Sequence, residues 1–322
     1  MTERFLVTGA AGCLGAWTLA RLIEDGSEVL AFDLSDDRRR LRLVVDDPIA
    51  QDVPWVTGDI RDLDQVVGIV ESHDITHVVH LAALQVPFCK ADPAMGSQVN
   101  VTGTVNVLES ARRAAGQIRG LVYASSVAVF GTADMYEGGI AFDDDPLAPA
   151  TLYGVYKQAN EATARVYFDD WGVSSIGLRP CVVYGPGRDQ GLTSSPTVAM
   201  LRAAAGLSTH VAFGGSSTYH HAGDVAAAMI AVARMGREGA FVHNIGGTDA
   251  TLDELAAAIA TVEPQVEVTH DDTPLALVSG LDGSGLSGLL GDEVGFRPLS
   301  IGVADTIHRF RQLIELGLIS PE

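Results

Sequence analysis

The stretch TGAAGCLG, residues 8–15, limits what this 322-residue chain can fold into more than any other segment. A short β-favouring run at 5–7 precedes it, and Leu14, Trp17, Leu19, Leu22 and Ile23 follow at helical spacing up to Gly26. Strand, glycine loop and helix in that order place unpaired amides and the positive end of a helix dipole where a phosphate can sit. The spacing of Gly9, Gly12 and Gly15 is wider at its start than in the commoner dinucleotide fingerprint, and taken alone it also fits a simple turn. The rest of the chain decides between the two.

Further strand patterns stand at 29–32, 55–56, 78–81, 121–124 and 174–178. Between them lie helical patterns near 66–70, over 99–115 and over 153–171. Such alternation means crossover units, so the expected fold class is α/β: a doubly wound, mostly parallel sheet covered on both faces. After Pro186 the pattern loosens into a Gly, Ser and Thr-rich loop, an alanine-rich helix near 198–205 and a short strand at 211–213. The expected division is a dinucleotide-binding domain over 1–185, with 236–262 returning to its sheet. A smaller substrate-binding lobe is then built from 186–235 and 263–322. No internal repeat is visible, and DGSGLSG at 282–288 reads as a flexible loop.

Charge and cysteine usage narrow the partners. A formal net charge of -20 argues against nucleic acid and anionic membrane surfaces, which are bound by clustered Lys and Arg. The one dense basic run, Arg38, Arg39, Arg40 and Arg42, is flanked by Asp36, Asp37, Asp46 and Asp47 and reads as a solvated helix face. No apolar run reaches the roughly 18 residues of a membrane span, and the N-terminus lacks a signal-peptide pattern. Cys13, Cys89 and Cys181 lie far apart, in neither a disulfide framework nor a thiolate metal site, so a cytoplasmic location is expected. His73, His77 and His80 share no helical face and point to no metal. His220 and His221 read as structural.

The residues that carry chemistry follow the loop. Asp33 ends the second strand pattern, eighteen positions after Gly15, where a carboxylate can accept hydrogen bonds from an adenosine ribose. It would repel a 2′-phosphate, so NAD is expected rather than NADP, with Arg38, Arg39 and Arg40 as the counter-argument. Asp59 and Ile60 fit the adenine edge, although Asp59 also fits a cap on the next helix. In YGVYK, Tyr153 and Lys157 fall on one helical face, so an ammonium beside a phenol favours phenolate. Such a phenol can relay a proton while hydride moves to or from a nicotinamide. Only Lys90 and Lys157 supply lysine, which adds weight to the pair. Ser126, in YASSVAVFG, stands just past a strand end and can orient a substrate oxygen; Ser125 competes for that role.

Taken in order, TGAAGCLG, GDI at 58–60, HLAA at 80–83, NVTGTVNVLE from Asn100, SSVAVFG, YGVYK and LRPCVVYGPG make the chain resemble a known family. They resemble the extended short-chain dehydrogenase/reductases of the NAD-dependent epimerase/dehydratase group, from residue 8 to about 233, with a weaker match at GFRPLS. The resemblance implies a Rossmann domain whose pyrophosphate loop includes Cys13 and Leu14. It implies that Leu81, Ala82, Ala83 and Asn100 lie along the cofactor and that Pro180 and Val183 border the nicotinamide. Ser126, Tyr153 and Lys157 would do the proton chemistry, the last two also binding cofactor. A homodimer through helices near 100–115 and 154–170 is implied as well.

The departures matter equally. Relatives that eliminate water carry Asp and Glu directly after the catalytic Ser or Thr, whereas Val127 and Ala128 stand here, which disfavours elimination. Val182 and Ser217 occupy places where sugar-nucleotide enzymes of the family carry Asn and Arg for the nucleotide phosphates, which argues for a substrate without a nucleotide diphosphate. The expected function is therefore NAD-dependent hydride transfer at a secondary alcohol or ketone carbon of a small sugar-derived substrate, a dehydrogenase being preferred to an epimerase. A nucleotide-sugar 4-epimerase is the alternative within the family. A non-catalytic NAD-sensing regulator is the alternative outside it, opposed by the Tyr153 and Lys157 pair. Gln85, Ser125, Ser126 and Arg188 are the expected substrate contacts.

Overall fold

In the computed structural model residues 2–114, 116–291 and 294–321 are described. Met1, Ala115, Asp292, Glu293 and Glu322, which fall within the expected domain bounds or the helix expected over 99–115, lie outside the described residues. The first half runs β1 (Arg4–Thr8), α1 (Cys13–Glu24), β2 (Glu28–Asp33), α2 (Asp47–Asp52), β3 (Trp55–Thr57), α3 (Leu63–Ser72) and β4 (His77–His80). It continues through α4 (Val86–Ala91), α5 (Pro93–Ser97), α6 (Gly103–Arg113), β5 (Gly120–Ala124), β6 (Ile140–Ala141) and α7 (Leu152–Trp171). Then come β7 (Ser175–Arg179), β8 (Val182–Tyr184), α8 (Ser195–Ala204), β9 (Thr209–Val211), β10 (Ser216–His221), α9 (Ala222–Met235) and β11 (Ala240–Asn244). Last are β12 (Thr248–Thr251), α10 (Leu252–Val262), β13 (Val268–His270), β14 (Gly280–Leu281), α11 (Ser284–Leu290) and α12 (Leu299–Glu315).

Seven parallel strands form the central sheet in the order β11-β7-β5-β4-β1-β2-β3. Successive side chains of a strand point to opposite faces, so Phe5 and Val7 join one apolar cluster with Leu19, Leu22, Val225 and Met229, while Leu6 joins another with Val66, Leu108 and Ala164. Burial on both faces explains why the strands read as continuous apolar runs. Strand order reverses direction between β1 and β4, and in doubly wound sheets ligands bind outside the carboxyl ends of the strands at such a switch point.

The boundaries between the two lobes differ from those expected. Helix α9, assigned by sequence to the smaller lobe, packs against α1 on the central sheet, because its alanine-rich surface lets it lie close there. Of the segment 236–262 only β11 joins the sheet; α10 sends Leu252, Leu255 and Ile259 into a separate cluster with Val182, Tyr184, Met200, Phe213, Val303 and Phe310. Strand β8, expected within the first domain, pairs with β10 in a three-stranded sheet, β12-β10-β8, on that second cluster. The loop expected at 282–288 begins α11 instead, since Leu286 and Leu290 find apolar cover.

Three buried histidines tie strand ends together. His80 sits between the hydroxyls of Thr8 (2.7 Å) and Thr104 (3.1 Å), His221 caps α9 by accepting from the Gly223 amide, and His220 reaches Gly246 O at 3.1 Å. Burial holds His80 down to about 3, His220 to about 4 and His221 to about 3, so all three are neutral in the fold. The unfolded chain binds protons on these rings below about pH 6.5 and the folded chain does not, so stability falls as pH drops from that value towards 4. Each ring contributes a slope of about 1.4 kcal/mol per pH unit in that window. Urea unfolding at pH 7, 6 and 5 reads this directly, and a flat profile between pH 6.5 and 5 would contradict it.

Candidate active site

Close packing demands glycine in the loop between β1 and α1. Gly9 has φ +70, and a Cβ there would lie 2.6 Å from the Ala82 amide nitrogen, while a Cβ on Gly15 would collide with Gly9 O. Gly12 starts α1 without any side-chain cap, and no acidic residue occupies the first turn formed with Cys13 and Leu14. Uncapped amides at the head of a twelve-residue helix, reached through a loop without side chains, fit a pyrophosphate.

Asp33 faces this loop from the end of β2. Its Oδ2 accepts from the Ala11 amide at 2.9 Å and its Oδ1 from the Leu34 amide at 2.7 Å; burial raises its pKa, opposed by these amides and Arg40. Of the neighbouring arginines, Arg39 is exposed and Arg42 partly exposed, as expected, but Arg38 and Arg40 do not join a solvated helix face. Residues 36–40 are non-helical, Arg38 donates to Ala50 O and Gln51 O and lies over the Trp55 ring, and Arg40 donates to Ala11 O and to Asp189. Guanidinium forks satisfied by carbonyls are held inward rather than left in solvent. With Arg38 and Arg40 so committed, a 2′-phosphate would meet the Asp33 carboxylate with only the exposed Arg39 left to offset it. Asp33→Ala is expected to weaken NAD binding about tenfold or more and to narrow its preference over NADP, as titration with both dinucleotides would measure. An unchanged preference would remove Asp33 from that role.

The expected cofactor contacts also make bonds within the protein itself. Asn100 is buried; its Oδ1 accepts from the Leu84 amide at 2.7 Å and its Nδ2 donates to Leu84 O at 2.9 Å, so it fixes the backbone after β4. The amides of Leu81 and Ala82 lie 3.3 and 3.4 Å from Thr8 Oγ1, holding the Leu81, Ala82 and Ala83 stretch beside Gly9. Asp59 is paired with Arg61, which lowers its pKa, and the cap of the next helix is supplied by Asp62 instead. Ile60 packs into the core against Gly103.

At the end of β5 two serines diverge. Ser125 Oγ donates to Glu161, whose two oxygens each accept from Arg179 at 2.8 Å, so Ser125 turns into the protein and is not a crevice residue as expected. Adjacent side chains in an extended segment point opposite ways, and Ser126 therefore takes the crevice side. Helix α7 arrives there capped by Thr151, and Gly154 lets it close against the turn: a Cβ at Gly154 would collide with Ala128 O. Ser126 Oγ accepts from the Ala128 amide at 3.2 Å and lies near enough to the Tyr153 phenol to pull its proton affinity down, and Lys157 Nζ donates to Ala124 O at 2.6 Å, 5.6 Å from the Tyr153 ring centre. Pro180 O accepts from the Val127 amide at 2.9 Å, which brings Pro180 beside the same turn, while Val183 is buried in β8.

The depressed phenol pKa expected of the pair is not what the chain alone provides. Desolvation raises Tyr153 above its ordinary value, with Ser126 and Arg188 pulling the other way, and burial brings Lys157 down to about 8. The ammonium is spent on Ala124 O rather than on the phenol. Gln85 and Arg188 come together elsewhere: Arg188 donates to Thr193 Oγ1 at 3.0 Å, and Gly191 lies against both side chains. The structure thus gathers Ser126, Tyr153 and Lys157 at the end of β5, and Gln85 with Arg188 beside Gly191. Sequence reasoning missed Glu161 and Arg179 behind them, although the four-residue step from Lys157 to Glu161 on α7 was a usable signal. Among the described residues no cluster of His, Cys, Asp or Glu could hold a metal ion, and no helix is long and apolar enough to cross a membrane.

A hydroxyl, a phenol and an ammonium at a strand end, in one sheet with a glycine loop faced by a carboxylate, fit a dinucleotide-dependent enzyme of the extended short-chain dehydrogenase/reductase type. Residues 5–246 match the NAD dependent epimerase/dehydratase family, and the chain belongs to it; its cofactor is NAD. A UDP-glucose 4-epimerase from Mycolicibacterium smegmatis is 32% identical over 96% of this chain and 98% of its own length. The structure of the Thermus thermophilus UDP-glucose 4-epimerase in complex with NAD is similar at TM-score 0.78 and 28% identity, covering 96% of this chain and 99% of that one. A partial consensus L-threonine 3-dehydrogenase shares the fold, with TM-score 0.83 at 23% identity over 96% of this chain and 100% of its own.

Proposed function

We propose that the chain moves hydride between NAD and a secondary alcohol or ketone carbon of a small sugar-derived substrate, with Tyr153 carrying the proton. The observation that carries this reading is the convergence of Ser126, Tyr153 and Lys157 at the end of β5, where a substrate oxygen can reach both hydroxyls. Bound NAD supplies the hydride acceptor and, in reverse, the donor. Ser126 orients the substrate oxygen, Tyr153 takes its proton as the carbon is oxidised, and Lys157 holds the strand-end carbonyl beneath them. Gly9, Gly12 and Gly15 bring backbone to the pyrophosphate, and Asp33 receives the ribose.

Two fates of the reduced cofactor divide the reading. Return of hydride to the opposite face of the ketone, as in a 4-epimerase, is supported by the full-length relative that carries that name. Net oxidation with release of NADH is supported by Val182 and Ser217, which are apolar or buried where relatives anchor nucleotide phosphates. Incubation with NAD and UDP-glucose, UDP-galactose, free aldoses or sugar acids separates them. Inverted product without accumulating NADH marks the epimerase, and NADH equal to substrate consumed marks the dehydrogenase. Failure to convert any of these compounds would reject hydride transfer on sugars.

A further inference from the structure

Of the three arginines that spoke for a 2′-phosphate, Arg40 alone takes its carboxylate partner from a distant part of the chain. Arg38 spends Nη1 on the carbonyls of Ala50 and Gln51 and pairs with Asp36, two residues before it. Arg39 is exposed and meets Asp37 only at 3.8 Å. Arg40 closes instead on Asp189, 149 positions away, whose Oδ1 accepts from Nε at 3.0 Å and from Nη2 at 2.7 Å. Its Nη1 donates to Ala11 O at 2.9 Å, and the Ala11 amide donates to Asp33 Oδ2 at 2.9 Å. A single residue of the glycine loop therefore separates the Arg40 guanidinium from the carboxylate placed to receive the ribose.

We propose that Asp189 is a specificity-determining residue for the cofactor: it occupies the guanidinium edge with which Arg40 would hold a 2′-phosphate, and thereby excludes NADP. This rests on the adenosine ribose lying at Asp33, and it assigns the choice of dinucleotide to a residue outside the cofactor loop. A guanidinium edge fits carboxylate and phosphoryl oxygens alike, so the two anions compete for it. A 2′-phosphate arriving here would meet a cation already neutralised and two carboxylates, Asp189 and Asp33, that repel it. The Arg40 side chain is 13% exposed and that of Asp189 43%. The Ala11 carbonyl and the backbone at Gly187, which lies against the Arg40 stem, hold the guanidinium where it is. Removing the Asp189 carboxylate would thus free the edge without removing the cation.

The test is calorimetric titration of NAD and NADP into the wild type, Asp189→Ala, and Asp189→Ala combined with Arg40→Met. Asp189→Ala is expected to bind NADP about tenfold more tightly than the wild type, with NAD affinity within about twofold, because one charge-assisted edge is returned to a phosphate. The gain is expected to shrink with added salt and to vanish in the double variant. NADP affinity unchanged or lower in Asp189→Ala, a gain shared equally by NAD, or a gain that survives Arg40→Met overturns the proposal. Asp33→Ala titrated alongside separates the two readings. A preference shifted by Asp189→Ala but not by Asp33→Ala upholds the role of Asp189 and rejects the ribose site at Asp33; a preference shifted by Asp33→Ala alone rejects Asp189 and keeps the ribose site.

Discussion

Tyr153→Phe is expected to cut kcat by a factor of about 100 to 10,000 while leaving NAD affinity nearly unchanged. Only the hydroxyl is lost; the ring still packs near Lys157, and α7 still closes on the Ser126 turn through Gly154. What disappears is the group that takes a proton from a substrate oxygen, and Ser126 alone has no acid–base range to replace it. Because burial holds the Tyr153 phenol above its ordinary range, oxidation by the wild type should also accelerate as pH rises, an effect the variant lacks. Steady-state assays with the sugar found active, run across pH, measure both. Turnover retained within a few fold, with the same pH profile, would take the proton-transfer role away from Tyr153.

Glu161→Leu is expected to destabilise the fold by about 3–5 kcal/mol, because it leaves the Arg179 guanidinium buried without its carboxylate. Arg179 and Glu161 are both almost fully buried, and together they tie α7 to the end of β7 while Ser125 donates to the same carboxylate. Replacing both partners with apolar residues removes the stranded charge, so Glu161→Leu with Arg179→Met should recover much of that loss. Urea unfolding of wild type, single and double variants gives the comparison. A double variant no more stable than the single one would mean that the stranded charge is not the cause.

Local chemistry made parts of this molecule legible before its fold was known. The glycines of 9–15 and the helix after them announce a phosphate loop because sterics and unpaired amides act over a few residues. Tyr153 and Lys157 share a face because a helix turns every 3.6 residues. Sequence favoured Ser126 over Ser125 but could not say where Ser125 turns, since that depends on Glu161, thirty-six positions away from it. The lobe boundary failed for a related reason: α9 and α10 are both alanine-rich, and which apolar cluster each joins is settled by close packing in three dimensions rather than by either helix's own pattern. Arg38 and Arg40 looked solvated because their carbonyl partners, Ala50 and Gln51 for one and Ala11 for the other, leave no mark in a charge count.

Arg40 has one more consequence, a mechanical one. Its guanidinium grips Ala11 O in the glycine loop with one hand and Asp189 in the segment leading to the second lobe with the other, and Trp17 reinforces the join through Pro186 O. The two lobes therefore cannot swing apart at this edge without breaking the Arg40–Asp189 ion pair and the Trp17–Pro186 hydrogen bond together. Residues 186–189 are in this way buckled to the side of the chain that carries the glycine loop.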